Sequence, residues 1–380
     1  MKHLSTPSRL AVAAALLLLT NASAQAQTAY GLQTSATATS LVTFQVTAPG
    51  TLTATTAITG LGAGQTLVGL DSRPNTGQLF ALGYTAATTQ VQLYTLDVTT
   101  GALTTVGAAL TLNLGTNTAR IGFDFNPTVD RIRLTGSNNA NFRLNPNNGA
   151  LAATDGNLAY AATDANAAQT PGVGAVAYTN SYIGATATTL YNIDEANTRL
   201  TTQNPPNNGI LNTVGALGLS AFGNSDLDIY FNPTTGTNVA YLTAVPAVSP
   251  GTTNSNLYTV NLATGAPTLV GMVGGNLASP VTDIALQITR TVPATVTGNL
   301  AYALAGTNLI TFDTALPGTI RTSLGVTGIA ATQTLVGLDV RPFTNTLFAL
   351  GYDAVLASPG LNAQVYSISS VTGVATATTL

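Results

Sequence analysis

Two blocks of this chain occur twice at one separation. Gln65-Thr66-Leu67-Val68-Gly69-Leu70-Asp71 returns as Gln333-Thr334-Leu335-Val336-Gly337-Leu338-Asp339, and Leu79-Phe80-Ala81-Leu82-Gly83-Tyr84 returns as Leu347-Phe348-Ala349-Leu350-Gly351-Tyr352, both 268 residues on. Looser matches flank them: Ala29-Tyr30-Gly31-Leu32 against Ala301-Tyr302-Ala303-Leu304, and Leu41-Val42-Thr43-Phe44 against Leu309-Ile310-Thr311-Phe312. Self-similarity at a fixed separation restricts a chain to stacked, arrayed or ring-like copies of one unit, each burying its apolar face against the next.

A shorter period lies inside the long one. Candidate opening strands start near Leu67, Ile121, Val173, Leu227, Val281 and Leu335, about 53 residues apart. Most units then carry a turn, such as Arg73-Pro74-Asn75-Thr76-Gly77 or Asn126-Pro127-Thr128-Val129-Asp130. A short apolar run follows, then a third run such as Gln92-Leu93-Tyr94-Thr95-Leu96-Asp97, a Thr-Gly or Asn-Gly turn, and a Thr-rich closing run. Proline pre-sets φ in such turns and glycine supplies positive φ, so the paired runs read as antiparallel hairpins. The runs are 4–8 residues of Val, Leu, Ile, Thr, Tyr and Phe, which is strand composition. No stretch keeps a 3.6-residue apolar period with caps, although the Ala-rich residues 155–169 have room for a short helix.

Four short strands per unit of roughly 40–50 residues predict an all-β, propeller-like ring of four-stranded antiparallel blades. A parallel solenoid, with coils of about 20–30 residues, is disfavoured by the tight hairpin turns. Residues 28–62 carry only the later strands of a unit. A single ring of six or seven blades leaves fewer orphan sheet edges and is the expected closure. The alternative is five blades, with 28–62 joining the strand at 281–287 and residues 299–380 left as a partial second copy.

The N-terminus reads as an export signal. Lys2 and Arg9 precede an apolar run at residues 10–19, and Ala22-Ser23-Ala24 and Ala24-Gln25-Ala26 offer small residues for cleavage. The run is too short to cross a bilayer, which takes about 20 residues. The expected organisation is a signal peptide at 1–26, a first repeat domain at 27–289 and a partial second copy at 290–380 continuing the same propeller. The mature chain is expected to be secreted, without a membrane span.

Several motifs together resemble a known family. They are Ile121-Gly122-Phe123-Asp124-Phe125-Asn126-Pro127, Phe142-Arg143-Leu144-Asn145-Pro146-Asn147-Asn148-Gly149, Ala177-Tyr178-Thr179-Asn180, Thr189-Leu190-Tyr191-Asn192-Ile193-Asp194 and Gln203-Asn204-Pro205-Pro206-Asn207-Asn208-Gly209 before Thr213-Val214-Gly215. This set resembles the bacterial secreted family catalogued as domain of unknown function 4394. The resemblance covers residues 28–289 once, with 299–380 as the start of a second copy. It implies export and a propeller-like fold, and it implies no activity.

Composition removes most chemistry. The chain has no Cys, and its one His is His3. Beyond residue 26 no Lys or His remains, and nine arginines face 14 acids, a net charge near −5. No Ser-His-Asp triad, thiolate or imidazole metal site, or phosphate loop with its lysine can be assembled. The basic footprint of a nucleic-acid binder is missing. No catalytic residue, metal site or cofactor is predicted. What remains is carboxylates. Asp71, Asp124, Asp283 and Asp339 recur at or near one position of the opening strand, where a propeller lines its channel, and form a candidate ligand or cation set. The simpler expectation is that each caps the next turn or pairs with Arg73, Arg131 or Arg341. Asp226 and Asp228 share a strand face if that strand starts early enough, and paired acids can cleave glycosides. Asp194 and Glu195, the latter the sole glutamate, read as solvated turn residues. The recurring Tyr94, Tyr191, Tyr258 and Tyr366 read as packing between blades. Two functions follow: a non-enzymatic exported propeller that binds a glycan or protein partner or serves as a scaffold, or a carboxylate-based polysaccharide hydrolase or lyase.

Overall fold

A computed structural model describes residues 27–35, 38–220, 222–246, 254–275, 277, 279–288, 295–355 and 362–378. The expected signal peptide at 1–26 lies outside them. The described residues form strands β1 (Thr28–Thr34), β2 (Thr39–Gln45) and β3 (Ala48–Ala57); β4 (Thr66–Ser72), β5 (Leu79–Thr85), β6 (Gln90–Leu96) and β7 (Leu103–Thr111); and β8 (Gly122–Asn126), β9 (Arg131–Thr135), β10 (Asn141–Leu144) and β11 (Leu151–Thr154). They continue with β12 (Ala159–Tyr160), β13 (Val173–Tyr178), β14 (Leu190–Asp194), β15 (Arg199–Gln203) and β16 (Ile210–Ala216), then β17 (Phe222–Asn232), β18 (Thr237–Pro246), β19 (Asn256–Val260), β20 (Pro267–Met272) and β21 (Val281–Leu286). Last come β22 (Leu300–Ala305), β23 (Asn308–Asp313) and β24 (Leu316–Gly325), and β25 (Thr334–Arg341), β26 (Thr346–Tyr352), β27 (Ala363–Ile368) and β28 (Ala375–Ala377). The opening strands of the repeat are β4, β8, β13, β17, β21 and β25. There is no α-helix among the described residues; residues 155–169 form turns and the short β12 instead, and one 3-10 turn spans Pro206–Asn208. Among the described residues no helix is long and apolar enough to cross a membrane.

These strands make seven sheets. Sheet 1 has the order β21-β1-β2-β3, sheet 2 is β4–β7, sheet 3 is β8–β11, and sheet 4 has the order β12-β16-β15-β14-β13. Sheet 5 is β17–β20, sheet 6 is β22–β24 and sheet 7 is β25–β28. All ladders are antiparallel except the short β12–β16 pair. β1 pairs with β21, Ala29 opposite Leu286. Residues 28–57 therefore complete their sheet with 281–286, the closure given above as the alternative. β1, rather than its repeat β22, holds that opening strand, and β22 pairs only with β23 among the described residues.

Burial falls along each sheet. β4, β5 and β6 are almost wholly buried, whereas β7 and β11 are largely exposed. A strand covered on both faces needs continuous apolar or small residues, which explains why Leu67 to Leu70 and Leu79 to Leu82 do not alternate with polar ones. The opening strands pack in a closed series: β4 on β8, β8 on β13, β13 on β17, β17 on β21 and β21 on β4. Apolar side chains fill four of these seams. Phe80, Leu82 and Tyr84 of sheet 2 meet Phe123, Phe125, Ile132 and Leu134 of sheet 3. Equivalent clusters join sheets 4 and 5, 5 and 1, and 1 and 2. The seam between sheets 3 and 4 also carries polar groups. There the buried Arg133 bonds Asn141, Asp155, Asn207 and the Tyr178 hydroxyl.

Sheets 6 and 7 pack on one another through Leu309, Val326, Leu347, Ala349, Tyr366 and Ile368. Sheet 6 meets the five-sheet series at a buried polar knot. Arg73 pairs with Asp130, its Nε 2.9 Å from Oδ1, and Asn308 Nδ2 donates to Asp130 Oδ2 at 2.5 Å. Asn147 bonds both Arg73 and the Thr307 carbonyl.

Gly69 shows how closely the seams approach. A Cβ there would lie 2.5 Å from the Phe123 Cβ, well inside contact distance. Gly69→Ala must push sheets 2 and 3 apart, and is expected to lower stability by about 1–3 kcal/mol in urea unfolding. A midpoint unchanged from wild type would show that the seam is looser than described.

Candidate functional site

Four of the opening strands, β4, β8, β17 and β21, point carboxylates at a neighbour. Asp71 of β4 accepts the Ser72 amide through Oδ1 (2.6 Å) and the Phe125 amide of β8 through Oδ2 (2.8 Å). Asp124 of β8 accepts the Tyr178 amide of β13 at 2.9 Å. β17 starts at Phe222, early enough to set Asp226 and Asp228 on one face. Asp226 accepts the Ile284 amide of β21 at 2.8 Å, and Asp228 the Leu286 amide at 2.5 Å. Asp283 of β21 returns to the Leu70 amide of β4.

The seam from sheet 4 to sheet 5 uses a different residue. β13 carries Val176 where the repeat would place an aspartate. Glu195, just after β14, supplies the link. Its Oε1 accepts the Ser225 amide (2.9 Å) and hydroxyl (2.7 Å), and its Oε2 receives Arg120 Nε at 2.7 Å. A Cβ on Gly174 would fall 2.5 Å from the Glu195 carboxyl carbon, so the glycine leaves the space this side chain occupies. The reading of Asp194 and Glu195 as solvated turn residues is corrected here. They are buried, and Asp194 accepts the Tyr160 hydroxyl and the Gly172 amide.

The aspartates converge. One oxygen each of Asp71, Asp124 and Asp228 lie within 4.8 Å of one another. Oxygens so placed could surround a hard cation, whose ligands sit at about 2.3–2.6 Å. Burial, and then the charge of Asp228, pushes Asp71 well above the usual carboxylate range. Burial, then Asp71 and Asp228, does the same to Asp124. Burial followed by Asp283 raises Asp226, and burial raises Asp283, whose carboxyl also hydrogen-bonds Asp226. Burial pushes Asp228 up to about 6.

Of the expected set, Asp71 and Asp124 come together, Asp283 lies beside them with its carboxyl hydrogen-bonded to Asp226, and Asp339 does not join them. It is exposed on sheet 7, outside the closed series, and only the Val340 amide donates to it. Arg73 pairs with Asp130 rather than with Asp71. Asp226 and Asp228 belong to the cluster, although the sequence set them apart as an isolated pair. Their signal was readable: Asp71 and Asp124 precede Pro74 and Pro127 by three residues, and Asp228 precedes Pro233 by five, a difference of one strand period that keeps the face. The tyrosines pack as expected, with Tyr94, Tyr258 and Tyr366 buried and the Tyr94 hydroxyl on Gln65.

A carboxyl raised on folding contributes stability below its unfolded value near 3.8 and loses it as pH rises through its folded value. In chelator-containing buffer, the melting temperature is therefore expected to fall between about pH 4 and pH 6 as Asp228 ionises. Asp228→Asn keeps an acceptor for Leu286 and should remove about 3 kcal/mol of this dependence. A pH-independent melting temperature in the wild type would show that these carboxyls are not buried together. Glu195→Ala should cost about 2–4 kcal/mol by stranding the Ser225 amide and the Arg120 guanidinium, which chemical denaturation would detect.

Comparison with known proteins places the chain in one family and finds only distant likenesses among solved structures. No curated protein matches the chain. Among solved structures, a provisionally named 6-phosphogluconolactonase of Bacteroides uniformis is 16% identical, with 93% of this chain and 95% of that one covered, at a TM-score of 0.30. A second such protein, from Bacteroides fragilis, is 15% identical over 94% of both chains, also at 0.30. The protein AofleA of Arthrobotrys oligospora is 9% identical over 89% of this chain and 77% of that one, at 0.33. Scores this low carry no argument about function. The family model described as "Domain of unknown function (DUF4394)" matches residues 40–285 and again 308–379. With most of its length matched, and with the repeat broken where the model breaks, the chain belongs to the DUF4394 family.

Proposed function

We propose that this chain is an exported, non-enzymatic binding or scaffold protein built as a five-bladed β-propeller, with sheets 6 and 7 as two blades of an incomplete second copy. The closed series of opening strands and the β1–β21 pairing support the ring. The basic n-region and apolar run at the N-terminus support export.

The observation that carries the non-enzymatic reading is the use made of the carboxylates. The polysaccharide hydrolase or lyase alternative needs two acids converging in a cleft, one free to move a proton. Acids do converge, but Asp71, Asp124, Asp226, Asp228 and Asp283 are buried and each accepts the backbone amide of a neighbouring sheet. One cleft, of about 560 Å³, lies away from them, between sheet 6 and the residues around Pro127, Arg143 and Ile183. Loop surfaces rich in Asn, such as residues 137–141 and 204–208, are where such a scaffold would present a partner site.

The test is a binding screen of the protein starting at Gln27 against cell-wall glycans and secreted proteins. Saturable binding without product is expected. Release of sugar products that disappears in Asp226→Asn or Asp228→Asn would establish the hydrolytic alternative instead. Calcium addition in the same preparation tests the expected ligand or cation role of Asp71, Asp124 and Asp283. A higher melting temperature that is lost in Asp124→Asn supports that role, and an unchanged one removes it.

A further inference from the structure

The long repeat provides an internal control for sheet 7, because sheet 2 is the same sequence in a completed setting. Locally the two sheets agree. Tyr366 donates to Gln333 at 2.7 Å as Tyr94 does to Gln65 at 2.6 Å, and the Ala330 amide donates to Tyr366 as the Gly62 amide does to Tyr94. Parallel bridges join Thr59 to Ala102 and Thr327 to Val374. One face also agrees: Leu347, Ala349 and Ile368 are buried against sheet 6 as Leu79, Ala81 and Leu96 are against sheet 1.

The opposite face differs. In sheet 2 it is covered by sheet 3, and Val68, Leu82 and Tyr84 are 5%, 0% and 1% exposed. Their repeats Val336, Leu350 and Tyr352 are 58%, 39% and 39% exposed. Asp71 and Arg73 are buried with partners from sheet 3, the Phe125 amide and Asp130. Their repeats Asp339 and Arg341 are exposed, and Arg341 makes no ion pair among the described residues. A Cβ on Gly69 would strike Phe123, whereas one on Gly337 would meet only the Leu350 Cβ, at 3.7 Å. The face is thus formed for a covering sheet that the described residues do not supply.

We propose that a second copy of this chain covers it, the β25–β28 sheets of two molecules packing face to face about a two-fold axis. The charges agree. Asp339 and Arg341 lie two residues apart on one strand and share its face, since Asp339 pairs with Phe348 and Arg341 with Thr346 in unbroken register. An isologous contact with antiparallel β25 strands sets Asp339 against the partner subunit's Arg341, and the reverse. Each carboxylate then receives a cation in place of the Phe125 amide, and each guanidinium a carboxylate in place of Asp130. Two sheets packed this way sit about 10 Å apart, with Val336, Leu350 and Tyr352 interdigitating.

The experiment is sedimentation or light scattering of the protein starting at Gln27 over a concentration series, with circular dichroism to verify the fold. Wild type is expected to dimerise. Asp339→Arg and Arg341→Asp singly place like charges together and should each weaken the dimer by roughly tenfold or more. The double exchange restores opposite charges and should recover the dimer, which a merely structural role of either residue would not produce. Leu350→Asp should be monomeric. A wild type that stays monomeric at all concentrations overturns the proposal, whether the face takes another polypeptide or none. A dimer indifferent to Leu350→Asp overturns it by placing the interface elsewhere.

Discussion

The five-sheet series depends on one interaction repeated at every seam: a carboxylate of one sheet accepting a backbone amide of the next. Neighbouring sheets of this series share no extended ladder, only isolated backbone links such as the Thr59–Ala102 bridge, so the sheet hydrogen bonding does little to fix one relative to another. Apolar packing holds them together but permits sliding, because it is not directional. A carboxylate–amide bond is directional and, in a dry setting, strong. Asp71, Asp124, Glu195, Asp226, Asp228 and Asp283 therefore set the register between sheets that the leucines and phenylalanines only press together.

That arrangement has an electrostatic cost. The opening strands approach one another, so the carboxyls that join them are crowded as well as buried. Each aspartate is pushed up by burial first, and most are pushed further by the charge of another aspartate. The protein spends few charges overall, and a large fraction of its acids are confined here. Arginine is used differently. Arg73 and Arg133 lie further out and knit turns and seams together through Asp130, Asp155 and side-chain amides.

Much of this was legible in the residues. The turn chemistry and the period placed the opening strands within a few residues of where they lie, and the all-β architecture followed. The convergence of Asp71, Asp124 and Asp283 was also readable, because a fixed position in a repeat becomes a fixed position around an axis. Two things were not. Val176 breaks the aspartate series, and no local pattern reveals that Glu195 substitutes for it, since the replacement comes from another strand and depends on the empty side of Gly174. The strand that pairs with β21 was equally hidden. β1 and β22 are near copies, and the choice between them for β21 is made by whole-chain geometry rather than by either strand's composition.

The pairing of β1 with β21 has a kinetic consequence. It joins residues some 250 positions apart, so sheet 1 cannot be finished until almost the whole five-sheet series has been made. Contacts of such sequence separation slow folding, because loop closure must be met before it is rewarded. A chain emerging from its N-terminus would carry β1 to β3 as an unfinished hairpin until Leu286 appears. Synthesis and closure are thereby kept in sequence: the five-sheet series locks only when its last inner strand has been made.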